Sequence, residues 1–323
     1  MVVFITGATG FIGSHLAQRL YASGYKLRCL ARHTSDVSKL RRINTSIVFA
    51  DITDKNAVQN ALKGVEIVYH NAATVGEWLS RQEAWSINIK GTRNLLDACL
   101  DAQVKRFVHV SSLAVLGMRN HFNTPPDAPR VMTGDIYTDT KIESERLVMD
   151  YYEKYKLPVV IVRPGFVFGE GDRRFLPRML NLLKSDKFIF LGKGTNIMDL
   201  IYIDNLIDAL VQAGIKQKAI GRVYNVTNKD KVTMRDFVYM ICDILKIKRP
   251  YKSIPFPVAK VLASSLETYS RVLKKKEPPF LTKARVKVAG LNLDFDISRT
   301  IEELGYDSRI SIREGLEKTL KTE

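Results

Sequence analysis

Tyr137 stands four residues before Lys141 in the stretch IYTDTKIESERLV (136–148). Residues at i and i+4 share one face of a helix. On such a face an ammonium beside a phenol stabilises the phenolate and lowers a pKa that is otherwise about 10. A tyrosine tuned in this way can give or take a hydroxyl proton while hydride moves at carbon. The spacing alone decides nothing, because amphipathic helices carry such pairs routinely. The substrate oxygen also needs a second donor. VSSLAVLG (110–117) offers Ser112 at the end of a predicted strand, where open α/β sheets place ligands.

Hydride chemistry needs a dinucleotide, and TGATGFIG (6–13) has the form of a site for one. Gly7 and Gly10 permit a tight turn and close approach of backbone to a diphosphate. Gly13 lets the following helix pack near the sheet, and the helix N-terminus turns its free N–H groups toward the phosphates. An NAD-preferring site places a carboxylate at the end of the second strand. Here that place reads Leu30-Ala31-Arg32-His33. Arg32 can fork onto a 2′-phosphate that a carboxylate would repel, so NADP(H) is favoured. The alternative is a solvated Arg32 in a site that takes NAD(H). Asp51-Ile52 ends the third predicted strand, where it either flanks the adenine or merely starts a helix.

These residues need a frame. Predicted strands at 2–5, 26–31, 46–50, 66–73, 105–112 and 157–164 alternate with predicted helices at 10–24, 54–64, 83–102 and the Tyr137 segment. That rhythm argues for a doubly wound parallel sheet with helices on both faces. Residues 199–214 resume strand-then-helix after an irregular stretch. The expected division is a Rossmann domain of 1–164 plus 199–214, with a smaller interleaved substrate-binding part of 165–198 plus 215–323.

Composition narrows the function class. Cys29, Cys99 and Cys242 are odd in number and widely spaced, so they read as buried thiols in a reducing cytoplasm. The histidines show no metal-ligand spacing, so no metal is expected. No apolar run is long enough to span a bilayer. The N-terminus reads as structure with no secretory signal. The formal charge is +16, and residues 246–290 hold 12 basic and 2 acidic residues. Interleaved aromatics and a recognisable nucleic-acid module are missing there, so nucleic acid is disfavoured.

With TGATGFIG, NAA (71–73), VSS (110–112) and YTDTK (137–141) in order, the chain resembles the extended short-chain dehydrogenase/reductases over essentially its whole length. The resemblance implies a catalytic Ser112, Tyr137 and Lys141, with Lys141 also holding the nicotinamide ribose. It implies cofactor contacts from Gly7, Thr9, Gly10, Phe11, Ile12, Gly13, Asp51, Ile52, Asn71, Ala72, Ala73, Ser111, Pro164, Gly165 and Val167. Asn88 matches a helix motif of the family and is read as supporting the site. The family's dehydratases follow the catalytic hydroxyl residue with Asp and Glu. Leu113 and Ala114 stand there, which removes the elimination machinery. Nucleotide-sugar enzymes of the family usually carry asparagine where this chain has Phe166. RPGFVFGEGDRRFLP (163–177) looks most like the 3β-hydroxysteroid and sterol dehydrogenase branch, or bacterial 3-ketoacyl-type reductases. The resemblance also implies a homodimer paired through helices 83–102 and 137–155.

Val75, Trp78, Leu79, Leu116, Met118, Phe122, Phe166 and Phe168 follow predicted strand ends. Each is read either as substrate pocket or as core. In 257–276, apolar residues at Val258, Val261, Leu262, Leu266, Tyr269 and Leu273 repeat at helical spacing among Lys260, Arg271, Lys274, Lys275 and Lys276. The segment is either a lid over the pocket with a solvated basic face or a helix seated on anionic lipid. The sequence therefore predicts an NADP(H)-dependent oxidoreductase interconverting a secondary alcohol and a ketone on an apolar, sterol-like or 3-keto/3-hydroxy substrate. A nucleotide-sugar epimerase using NAD is the alternative.

Overall fold

The computed structural model describes residues 1–76, 78–273, 279 and 281–321. Seven parallel strands form the main sheet. From one edge to the other they are Val223–Val226, Val159–Pro164, Arg106–Val110, Ile67–His70, Val2–Thr6, Lys26–Ala31 and Ser46–Phe49. Chain order reverses between Val2–Thr6 and Ile67–His70, and ligands bind in the crevice beyond the carboxyl ends at such a point.

The strands are β-branched because helices cover both faces. Val159, Val160, Ile161 and Val162 are all fully buried. On one face Leu16, Leu206 and Leu210 share a core that joins the helices Phe11–Ala22 and Ile203–Ile215 to the sheet. On the other, Leu95, Leu96 and Val148 join the helices Thr92–Asp101 and Ile136–Tyr155.

Three features differ from the sequence-based expectations. The first concerns the division at residue 215. Val223–Val226, placed in the substrate-binding part, is the edge strand of the main sheet, paired with Val159–Pro164. Leu200–Tyr202, placed in the Rossmann part, pairs instead with Phe166–Phe168 in a separate two-stranded sheet. The second is the helix predicted over 83–102. It is built from Arg81–Trp85, a π-helical Ser86–Gly91 and Thr92–Asp101. The Thr92 hydroxyl donates to the Asn88 carbonyl at 2.6 Å inside the widened turn.

The third is the helix Phe256–Val272. Its buried side is Ala259 and Ala263, which pack with Val286. Of the two expectations for it, a lid would turn the larger apolar residues inward, whereas they point outward: Val258, Val261, Leu262, Tyr269 and Leu273 are exposed. Small residues let this helix lie close to its neighbour Lys283–Ala289, and the bulky ones are left on the far side. The side chain of Arg271 and all of Lys274, Lys275 and Lys276 lie outside the described residues. No described helix is long and apolar enough to cross a membrane.

Candidate active site

Tyr137 lies in the first turn of the helix Ile136–Tyr155. The turn is pinned by its cap: the Asp135 carboxylate accepts from Thr138 N at 2.8 Å. The approach to it is held by Asp139, which accepts from the backbone N–H of Thr133 and Gly134. Ser112 follows the strand Arg106–Val110 and caps the short 3-10 turn Leu113–Leu116. The Ser112 hydroxyl stands close enough to the Tyr137 phenol to draw its pKa down. Two hydroxyls from separate elements thus gather beyond the carboxyl end of the sheet.

Burial pushes the Tyr137 phenol up to about 12; Ser112 and the charge of Arg174 pull it back, while Asp135 adds to the rise. Lys141 was expected to be the cation that tunes this phenol and to hold the nicotinamide ribose. Its ammonium donates to the Val110 carbonyl at 2.7 Å. A buried amine needs an acceptor, and the end of the neighbouring strand supplies one. Burial brings Lys141 down to about 8, against the opposing pull of Glu145.

Beneath the hydroxyl pair runs a network that the sequence did not reveal. Asn88 accepts from Thr74 N at 2.9 Å, donates to the Thr74 carbonyl at 3.3 Å, and donates to Thr140 Oγ1 at 2.9 Å. Thr140 in turn donates to the Tyr137 carbonyl at 2.9 Å. Asn88 therefore clamps the loop after Ile67–His70 to the turn that carries Tyr137. His70 bridges Thr6 and Thr92, each at 2.8 Å. The Thr92 proton goes to the Asn88 carbonyl, so His70 Nε2 must carry the hydrogen and Nδ1 must accept from Thr6. Burial first, and Lys141 second, hold His70 down to about 3, so the ring is neutral. Thr6 Oγ1 also accepts from Ala72 N at 3.2 Å, which fixes the loop that begins at Asn71.

Several features fit a nicotinamide dinucleotide. Gly7 has φ +66°, and a Cβ there would meet Ala72 N at 2.8 Å. A Cβ on Gly13 would lie 2.2 Å from the Gly7 carbonyl oxygen. The helix Phe11–Ala22 starts at Gly10 with no side chain capping it, so its first N–H groups remain open to an anion. Thr9, Phe11 and Ile12 line this turn half-buried and Gly10 is exposed. Both polar side-chain atoms of Asn71, and Ser111 Oγ, are buried without a partner. Buried polar atoms are ordinarily satisfied, so these three await one. Ala72 and Ala73 continue the same loop, half-buried. Pro164 is buried, while Gly165 and Val167 are half-buried; a Cβ on Gly165 would strike the Asp199 carbonyl.

Arg32 is exposed just past the second strand, and its charge helps hold the Asp51 carboxyl below its usual range. The larger cause is Thr53, whose hydroxyl and N–H both bond Asp51 Oδ1, at 2.6 and 2.9 Å. Ile52 is turned inward: its side chain packs over Gly91 and leaves only its backbone toward an adenine.

Among the pocket candidates, Val75 is exposed, and Trp78, Leu79 and Met118 are half-buried. Phe166 stacks on Phe175 at 5.3 Å, which stacks on Phe237 at 5.8 Å. Leu116 and Phe168 are fully buried core. Phe122 was expected near the pocket. It lies on the strand His121–Thr124, whose alternation buries His121 and leaves Phe122 72% exposed. No group of three or more His, Cys, Asp or Glu among the described residues is placed to hold a metal.

The model of the NAD dependent epimerase/dehydratase family matches residues 3–227. The chain is 30% identical over 346 residues to an Arabidopsis thaliana 3beta-hydroxysteroid-dehydrogenase/decarboxylase isoform 2, covering 98% of this chain and 61% of that protein. It thus spans about three fifths of that relative's length. It is 29% identical over 330 residues to a Shewanella oneidensis 2-alkyl-3-oxoalkanoate reductase, covering 98% and 84% respectively. Among solved structures, it is similar to a UDP-glucuronic acid 4-epimerase from Bacillus cereus in complex with NAD. That match has a TM-score of 0.80 and 25% identity, with 99% of this chain and 98% of that chain covered. Together with the site's geometry, these likenesses establish that the chain belongs to the NAD-dependent epimerase/dehydratase family and is an NAD(P)-dependent enzyme of the extended short-chain dehydrogenase/reductase type.

Proposed function

We propose that the chain is an NADP(H)-dependent reductase that interconverts a ketone and a secondary alcohol on an apolar substrate. The observation that carries this reading is the approach of Ser112 to Tyr137 beyond the carboxyl end of the sheet, and the aromatic stack of Phe166 and Phe175, on the segment after the strand Val159–Pro164, supports an apolar substrate. When bound, the reduced nicotinamide supplies the hydride to the carbonyl carbon. Tyr137, protonated at neutral pH, gives its proton to the carbonyl oxygen, and Ser112 donates a hydrogen bond to that oxygen. In sum, ketone, NADPH and a proton become alcohol and NADP⁺. Lys141 and Asn71 would hold the nicotinamide half, and the Gly7–Gly13 turn the diphosphate. Arg32 would take the 2′-phosphate, since Ala31 brings no carboxylate and Asp51 is occupied by Thr53.

A nucleotide-sugar epimerase, the activity named for the Bacillus cereus structure, is the second reading. The stacked Phe166 offers a sugar no hydrogen bond, which favours the reductase. The exposed stripe on Phe256–Val272, within a segment of 12 basic and 2 acidic residues, supports seating on an anionic bilayer at the cytoplasmic face. We also propose a homodimer paired through the helices at 83–102 and 137–155.

Titration of NADPH and NADH against the purified protein tests the cofactor. NADPH should bind at least about tenfold more tightly, and Arg32→Ala should erase that margin. In the same preparation Tyr137→Phe should abolish turnover of an apolar ketone while NADPH affinity stays within a few-fold. Equal or tighter NADH binding would overturn the NADP reading and bring nucleotide sugars forward.

A further inference from the structure

Residues 169–174 touch both lips of the crevice between the strands Val2–Thr6 and Ile67–His70. On the first lip the Glu170 carbonyl accepts from His15 Nε2 at 2.8 Å, so that nitrogen carries its hydrogen. His15 lies on the helix that the glycine turn opens, and its ring meets Phe11 of that turn edge-on at 5.6 Å. Gly171 stands beside them: a Cβ there would come 3.4 Å from Lys39 Nζ and 3.9 Å from the Phe11 ring. Lys39 follows the strand Lys26–Ala31, so the segment reaches past Val2–Thr6 to the next strand's outlet. On the other lip Arg174 Nη1 donates to the Val75 carbonyl at 2.9 Å, and Val75 follows Ile67–His70.

The two roots of this segment are fixed and its tip is not. At one root Phe168 is fully buried, and a Cβ on Gly169 would lie 2.4 Å from the Ile203 side chain. At the other, Asp172 Oδ1 accepts from Arg174 N at 2.8 Å and Phe175 N at 3.1 Å, and its Oδ2 accepts from Leu176 N at 2.8 Å, which ties the chain to the helix Leu176–Lys184. The tip is a turn closed by Asp172 N on the Gly169 carbonyl at 3.1 Å. Its third residue, Gly171, has φ +85°, which such a turn takes readily only with glycine. Glu170 and Gly171 are exposed. An exposed turn with no buried side chain of its own belongs to the low-stability end of a fold, where local opening is easy. The His15 hydrogen bond is what holds this tip to the first lip.

We propose that residues 169–174 form a strap across the mouth of the dinucleotide site, and that His15 is the positioning residue that latches it. A dinucleotide running from Arg32 to Asn71 passes between the two lips at the glycine turn, and the strap joins those lips over it. The latch is a contact of protein with protein and touches no part of the cofactor. It holds the strap shut over a filled or an unfilled site alike. It therefore slows entry and exit together and leaves affinity nearly unchanged. This needs only a nicotinamide dinucleotide in the crevice and does not depend on the reductase reading.

Stopped-flow kinetics on the full chain test this, with whichever of NADPH and NADH binds more tightly. Nicotinamide fluorescence reads association, and a chase with excess oxidised cofactor reads dissociation. His15→Phe keeps a ring beside Phe11 and removes the donor; the side chain is half-buried, so the variant should melt with the parent. It should raise both rate constants by about 3- to 10-fold, the worth of one hydrogen bond, with Kd within about twofold. His15→Gln supplies a donor again and should return both constants toward the parent values. Unchanged rates in His15→Phe overturn the strap. Faster dissociation alone, with Kd weakened in proportion, overturns it too, because that marks a residue supporting the glycine turn or the bound cofactor. Equal acceleration in His15→Phe and His15→Gln assigns the effect to packing and overturns the latch. An unaltered chain that binds neither cofactor overturns the strap together with the cofactor assignment, whereas failure to reduce any ketone leaves it standing.

Discussion

Replacing Asp199 with asparagine should stabilise this protein at neutral pH and leave its stability unchanged in acid. Asp199 is 7% exposed, its Oδ1 has no hydrogen-bond partner, and burial pushes its carboxyl up to about 8. An unfolded aspartate titrates near pH 3.9, so below about pH 4 the folded and unfolded chains hold the same proton. Between pH 4 and 8 the folded chain keeps a proton that the unfolded chain has lost. Stability therefore falls by roughly 1.4 kcal/mol per pH unit across that window, in full force at low pH and lost as pH rises toward the folded pKa. At pH 7, three units into the window, the cost is on the order of 4 kcal/mol. Asparagine keeps the shape and removes the titration. Its backbone carbonyl can still accept from Phe166 N, now at 2.7 Å. For 323 residues the unfolding entropy is about 0.7 kcal/mol/K, so Asp199→Asn should melt roughly 6 °C higher at pH 7. Calorimetric melts of both proteins at pH 4, 5.5 and 7 would read the gap opening. A gap of constant size at all three, or an Asn variant that melts lower at pH 7, would refute the reasoning.

Two other perturbations follow from the same structure. Glu145 and Arg163, 0% and 2% exposed, are joined by two hydrogen bonds of 2.8 and 2.6 Å, and Arg163 also donates to the Pro126 carbonyl. Glu145→Ala strands a buried guanidinium and should cost about 3–5 kcal/mol in urea unfolding, whereas Glu145→Leu with Arg163→Met should recover most of it; a single variant as stable as the parent contradicts this. For the bilayer contact, Val261→Asp with Val272→Asp should abolish co-sedimentation with phosphatidylglycerol vesicles while the protein stays folded. These two residues are 66% and 74% exposed, so neither change disturbs the core. Binding by the unaltered chain that is no stronger to these than to phosphatidylcholine vesicles would remove the anionic-lipid reading.

What the sequence discloses depends on how far apart the interacting residues lie along it. Runs such as KLRCLA and LPVVIVRP announce their strands because a doubly covered strand is mostly apolar, and the structure places them at Lys26–Ala31 and Val159–Pro164. The edge strand Val223–Val226 goes unread because it has four residues and one of them is Asn225. The π-helical turn at Ser86–Gly91 shares its hydrophobic pattern with an ordinary helix, so periodicity cannot separate the two. Tyr137 and Lys141 are one helical turn apart, and their shared element is legible. The loop that meets them is not. Thr6 and His70 are 64 residues apart, Asn88 and Thr140 are 52, and Arg174 and Val75 are 99.

Such pairs exist only because the parallel sheet returns each strand's carboxyl end to the same edge. That geometry also sets the surroundings of the Tyr137–Lys141 pair. The helix spaces the two residues, and the folded sheet gives the Lys141 ammonium the Val110 carbonyl as an acceptor. Burial raises the phenol, and what draws it back comes from other elements, the Ser112 hydroxyl beyond a strand end and then the charge of Arg174. In this fold the helix sets the spacing of the proton donor, and the topology of the sheet sets much of the environment in which it titrates.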